Sequence, residues 1–204
     1  MKLVKDWMSN DFKMIRGNAS PLEAIALHAG SPYIVVENAS QQAIGVVTGA
    51  ELEGAISTGA TPLVQQILTG VPLLTVGCDL GMQAVVESPL LETLVQTARL
   101  AVVTDDANQT VGVLSADAIR QFIRSGSSQQ KGTVLGGDAF PYVASAELAG
   151  SLLPLTAFCI CGECYHRNEL SAAQWSALTA NPSGPAPTCQ NPDLNVPQHL
   201  LKLN

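Results

Sequence analysis

The chain has 204 residues, is 47% hydrophobic and 13% charged, and carries a net charge of −7. That composition supplies a core and excludes general disorder. Lys and Arg total 10, and only Lys131, Arg167 and Lys202 lie beyond residue 125; without a basic patch, and with 4% aromatic residues, nucleic acid is not an expected partner.

The opening residues are mixed in charge (Lys2, Lys5, Asp6, Asp11, Lys13, Arg16) and contain no apolar leader segment. The most apolar stretch, 148–160, holds Pro154 and falls short of the about 20 residues a membrane span needs. The expectation is a cytoplasmic chain with no membrane contact.

The first predicted helix starts at Ser20-Pro21-Leu22. Ser accepts a backbone hydrogen bond at the cap, Pro suits the first helical position, and Glu23 completes a capping box. Leu22, Ile25 and Ala26 form its expected apolar face. A strand follows at 33–36, then the polar turn Glu37-Asn38-Ala39-Ser40-Gln41, a second strand ending in Gly45-Val46-Val47-Thr48, and a helix over 50–56. Residues 62–68 read as a connecting helix, and 71–82 as an insertion without a counterpart earlier in the chain.

The block then returns. Ser88-Pro89-Leu90 opens a second helix, with Leu90, Leu94 and Val95 on its apolar face and Leu91 where the first copy has Glu23. A strand over 100–103, the turn Asp105-Asp106-Ala107-Asn108, the strand end Gly112-Val113-Leu114-Ser115 and a helix over 116–123 complete it. The two copies, each β-α-β-β-α with the last two strands a hairpin, are expected to pack on one another, since neither buries its apolar face alone.

Together with Val4-Lys5-Asp6-Trp7-Met8-Ser9 at the start and Gly45-Val46-Val47-Thr48-Gly49-Ala50-Glu51, this pattern resembles the cystathionine-β-synthase (CBS) domain, a family that occurs in tandem. The resemblance covers residues 1–124. It implies an α/β (α+β) pair of units in pseudo-two-fold arrangement, a first unit of about 1–58 and a second of about 71–124. It also implies clefts for adenosine-containing ligands (AMP, ADP, ATP or S-adenosylmethionine) and pairing as a homodimer. The family's ligand signature is Gly-apolar-Ser/Thr-x-x-Asp. A hydroxyl beside free N–H groups at a helix start suits phosphate, and a carboxylate one turn on accepts from a ribose diol. Thr48 and Glu51 fill these places in the first copy. The second keeps Ser115 but has Ala118 for the acid, with Asp117 one position early and turned about 100° away on a helix. The first copy is therefore the better nucleotide site. Thr48-x-x-Glu51 is equally a capping box that needs no ligand, and Tyr33 and Ile34 are either walls of an adenine pocket or plain core.

Residues 125–155 comprise a polar linker, 125–133, and an irregular apolar segment. The remainder, 156–204, reads as a small separate module holding four of the five cysteines: Cys159, Cys161, Cys164 and Cys189. Cys161-x-x-Cys164 forms a knuckle that resembles the first half of a zinc ribbon. With Cys189 it supplies three of the four ligands that structural zinc needs. His199 is the favoured fourth, since Cys189 and His199 would clamp a distant segment; Cys159 and His166 are the alternatives. The other cysteine reading is a redox thiol set of Cys159, Cys161 and Cys164.

No nucleophile elbow, Walker loop or His-Glu-x-x-His occurs, and two of the three histidines, His166 and His199, fall in the cysteine module. His28 reads as a surface or core side chain. A non-catalytic regulatory protein is expected, one that senses an adenosyl ligand and signals to a protein partner. The alternatives are a ligand-free dimerisation scaffold whose zinc module docks a partner, and a thiol redox sensor.

Overall fold

The structure is a computed structural model that describes residues 2–59, 63–68, 73–91, 94, 100–127, 155–180, 186–192 and 200–201. Of the expected linker and apolar segment 125–155, residues 128–154 lie outside these residues, as do part of the second predicted Ser-Pro helix and His199; 125–127 are the end of a helix and not linker, and Leu155 is buried. No helix among the described residues is long and apolar enough to cross a membrane.

The fold is mixed α and β. The first unit runs β1 (Lys13–Arg16), α1 (Pro21–His28), β2 (Ile34–Glu37), β3 (Ala43–Val47) and α2 (Gly49–Thr58). A short helix α3 (Val64–Ile67) leads into the second unit: β4 (Leu73–Gly77), α4 (Met82–Val86), β5 (Leu100–Thr104), β6 (Thr110–Ser115) and α5 (Ala116–Ser127). In each unit the first strand is parallel to the second and the third antiparallel to it. The hairpin turns match: Asn38 Oδ1 accepts from the N–H groups of Ser40 and Gln42, and Asp105 Oδ1 from those of Ala107 and Gln109. Gln41 and Asn108 take left-handed φ of 61° and 58° at equivalent places.

β2 and β5 are buried on both faces. Ile34 and Val36 point into the first unit's own core, and Ala101 and Val103 into the second's. Val35 and Val102 meet between the sheets, with Ala43, Leu73, Leu100 and Val113.

Four expectations are corrected. Segment 71–82 is not an insertion: β4 within it pairs with β5 as β1 pairs with β2. Ser88-Pro89 is not the structural counterpart of Ser20-Pro21. Ile15 pairs with Val36, 21 residues on, whereas Val76 pairs with Val103, 27 residues on. The second unit has six extra residues there, and Gly81, with no side-chain cap, holds the helix-start position that Ser20 fills in the first unit. On α1 the expected face holds only at Ile25, which packs partly buried on the first unit's core beside the buried Pro21 and Ala24; Leu22 is 65% exposed and Ala26 is also exposed, so the helix turns a different side to the sheet. The fourth correction concerns the module expected over 156–204, whose described residues join the second unit's sheet and core. Their hairpin, β7 (Thr156–Ile160) and β8 (Arg167–Leu170), extends the second unit's sheet to the order β6-β5-β4-β7-β8. Helix α6 (Ala172–Ala180) follows, burying Trp175 and Leu178 in that unit's core.

The segments leading into each unit are exchanged. Residues 3–8 pack on the second unit: Val4 N–H donates to Leu80 O at 2.8 Å and Lys5 N–H to Cys78 O at 3.0 Å. Residues 63–68 repeat the arrangement on the first: Val64 N–H donates to Ala19 O and Gln65 N–H to Gly17 O, both at 2.9 Å. Each segment lays one side chain over the central glycine of a third strand. A Cβ on Gly45 would meet Leu68 at 2.5 Å, and one on Gly112 would meet Met8 Sδ at 2.6 Å.

Candidate functional site

The cysteine hairpin turns at its knuckle. Ile160 ends β7, Cys161 N–H donates to His166 O at 3.0 Å, and Tyr165 N–H donates to Cys161 O at 2.9 Å. Tyr165 takes φ 57°, the left-handed residue that lets the chain reverse into β8. Cys189 arrives from a distant segment, held where Thr188 bridges to Leu200 and Leu201 N–H donates to Pro187 O at 2.8 Å.

The Sγ atoms of Cys161, Cys164 and Cys189 all lie within 4.8 Å of one another, and those of Cys164 and Cys189 are 3.6 Å apart. Zn–S bonds of about 2.3 Å place tetrahedral sulfurs about 3.8 Å apart, so this donor set fits zinc. Burial, together with the neighbouring Cys164 and Cys161, pushes the Cys189 thiol up to about 11 against a backbone N–H of Asn191 that lowers it. A divalent cation offsets the same desolvation by stabilising the thiolates.

Asn168 organises this centre. It is fully buried, donates to Cys159 O (3.3 Å) and His166 O (2.8 Å), and accepts from Gln190 N–H (2.6 Å). One side chain thus ties the hairpin to the segment that brings Cys189. Arg167 beside it donates from Nη1 to Ala43 O of the first unit at 2.8 Å, and its guanidinium lies 3.6 Å over the Phe158 ring. Burial lowers its pKa to about 10, and its buried Nε–H has no partner among the described residues. Neither residue is evident as a site residue from sequence; the one signal is that Arg167 is among the few basic residues late in the chain.

Of the expected fourth ligands, Cys159 is set aside. Its Sγ donates to Ile160 O at 3.7 Å within the second unit's core, outside the sulfur group, and burial raises its pKa to about 11. The alternation of a strand explains this: Cys159 faces the core within β7, while Cys161 has left the strand and enters the knuckle. The half-buried His166 contributes its carbonyl to the turn, and its ring is not in the sulfur group. His199 is outside the described residues; Leu200, next in the chain, is the bridge partner of Thr188.

The helix-start turns are equivalent in place and unequal in chemistry. Thr48 caps α2 in a complete capping box: Glu51 Oε2 accepts from Thr48 N–H at 2.8 Å and from its Oγ1 at 2.7 Å, and Thr48 Oγ1 accepts from Glu51 N–H. Ser115 Oγ accepts from Ala118 N–H at 3.1 Å at the start of α5, and Asp117 pairs outward with Arg120 at 2.6 Å. Tyr33 is half-buried against the inter-sheet core. Ile34 is fully enclosed in the first unit's interior.

No protein-family model matches the chain, and no curated protein does. Solved structures do. CBSX2 of Arabidopsis thaliana, a CBS-pair protein, is 18% identical with a TM-score of 0.46 over 65% of this chain and 99% of that one. The CBS domain pair of MJ0100, in complex with 5′-methylthioadenosine and S-adenosylmethionine, is 19% identical with a TM-score of 0.48 over 62% of this chain and 98% of that one. Staphylococcus aureus OpuCA is 16% identical with a TM-score of 0.47 over 59% of this chain and 98% of that one.

Proposed function

We propose that this chain is a non-catalytic regulatory protein of the CBS-pair kind, in which residues 1–124 bind an adenosine-containing ligand and residues 156–204 carry a structural zinc. The observation that carries the ligand half is the inequality of the two turns: only the first sets a hydroxyl and a carboxylate together at a helix start, at Thr48 and Glu51. Phosphate would take the N–H groups there and a ribose diol the acid. One ligand per chain is the reading, with AMP, ADP, ATP and S-adenosylmethionine as the class. Signalling to a protein partner then requires that the ligand bind one conformation of the pair better than another. Pairing as a homodimer in the cytoplasm belongs to the same reading.

Titration calorimetry with those four compounds is the test. Binding of at least one, lost in Glu51→Ala, supports the site; no heat or thermal stabilisation from any at millimolar concentration overturns it. A specific observation favours the scaffold reading as the alternative: Glu51 Oε2 is already held by Thr48, as a cap without ligand would hold it. A pull-down of a partner that persists without nucleotide and fails after chelation would decide for the scaffold.

The zinc half rests on the three-sulfur cluster. Cys161, Cys164 and Cys189 would hold the ion, with His199 the proposed fourth ligand, and the ion would supply charge neutralisation and a cross-link. Elemental analysis of freshly purified protein tests this: about one equivalent of zinc supports it, and under about half an equivalent moves the reading to redox thiols.

A further inference from the structure

We propose that the thiol triad is a joint between the two repeat units, so that metal loading sets how firmly the first unit is held against the second. This rests on the zinc reading and assigns that site a regulatory consequence.

The hairpin that carries the knuckle presents its two faces to different units. Ala157 and Cys159 point into the second unit's core, and Cys161 joins them. Phe158, on the opposite face, packs on the inter-sheet cluster, and Ile160, immediately before the knuckle, is buried in the first unit's core. Tyr165, immediately after Cys164, packs against that same first-unit core. Arg167 then reaches Ala43 O at the start of β3. The residues that flank the Cys161–Cys164 knuckle on both sides are thus those that touch the first unit.

The ligands themselves are anchored on the second unit's side. Cys161, Cys164 and Cys189 pack with its core, and Asn168 locks the knuckle to the Cys189 segment. An ion bound by the three sulfurs would fix the turn, and with it the positions of Ile160, Tyr165 and Arg167. Without the ion, three thiols crowd a half-buried pocket and the turn loses its cross-link. The inter-sheet cluster and the exchanged lead-in segments join the units in either state, so loss of metal loosens the first unit and does not release it.

The test is amide hydrogen exchange by mass spectrometry on the full chain, zinc-loaded and after chelation, with zinc content measured on the same samples. Chelation is expected to speed exchange of the β3 peptide by about tenfold while α5 changes by no more than about twofold, a coupling of ordinary size. In Arg167→Met, which keeps an apolar stem over Phe158, zinc content should be retained and the β3 rise should fall to about threefold or less. A rise confined to the hairpin in zinc-containing protein overturns the joint and leaves the metal site standing. So does an undiminished rise in Arg167→Met, or a uniform rise over both units, which would make the metal a general stabiliser. Absence of zinc in purified protein overturns both.

Discussion

Gly49 lies directly against the imidazole of His28: a Cβ at position 49 would stand 2.7 Å from Cε1 and 2.9 Å from Nε2. These residues are the first of α2 and the last of α1, and their contact sets how closely the two helices of the first unit run. His28 is thus a packing residue, and a side chain at position 49 would require its half-buried imidazole to turn aside.

Gly49→Ala should therefore destabilise the chain by about 1 kcal/mol or less, because the imidazole can move where a close-packed core side chain could not. The double variant His28→Ala with Gly49→Ala should lose less than the two single changes added together. Urea midpoints with an unchanged slope would measure both; strict additivity would show that the clash is absorbed elsewhere.

The cysteines should divide cleanly. Cys161→Ser, Cys164→Ser and Cys189→Ser are expected to lose the metal, and Cys159→Ala to keep it. Where free zinc stands a hundredfold above its Kd, removal costs about 2.7 kcal/mol, or about 5–10 °C in melting temperature for a chain of this size. Calorimetric melts with and without chelator, paired with metal analysis, check this.

Cys159 should also be chemically silent. With its pKa raised to about 11 by burial, only about one molecule in a thousand carries the thiolate at pH 8. Iodoacetamide on folded protein should leave it unmodified, with labelling rising only as the pH approaches 11 or the chain unfolds. Peptide mapping that finds Cys159 labelled as fast as the half-buried Cys78 would show its core placement to be wrong.

Asn168→Ala removes three hydrogen bonds from a fully buried site and should cost about 2–4 kcal/mol. Because one of those bonds positions the chain beside Cys189, zinc affinity should fall by about 10- to 100-fold in a competition assay. Asn168→Asp keeps the acceptor for Gln190 N–H but places a buried carboxylate against two carbonyls, so it should rescue neither property.

The repeat is legible in sequence from the second strand of each unit onward. There the two copies keep step through the hairpin, the Asn38 and Asp105 turns and the hydroxyl caps Thr48 and Ser115, all features encoded by neighbouring residues. Ahead of that point the six extra residues between β4 and β5 break the step, and Ser88-Pro89 imitates Ser20-Pro21 from a different structural position. The likeness of 63–68 to 3–8 is carried by the backbone hydrogen bonds and by a short shared pattern, Leu-Val followed two residues on by an apolar pair (Trp7-Met8, Ile67-Leu68), too brief to stand out from a mere connector. The knuckle is legible because its spacing is local chemistry. The seating of β7 on β4 is not, since pairing of Leu73 with Phe158 leaves no mark in either segment.

The exchanged lead-in segments impose an order on assembly. The first unit finds its missing piece, residues 63–68, directly behind it in the chain, and a loop of that length closes at small entropic cost. The second unit must retrieve residues 3–8 from the far side of the first, and Ser9 reaches its bridge partner Val113 only after β6 has been made. Residues 3–8 are therefore made before the first unit yet seated after it, and damage to this strip would be registered in the second unit's core.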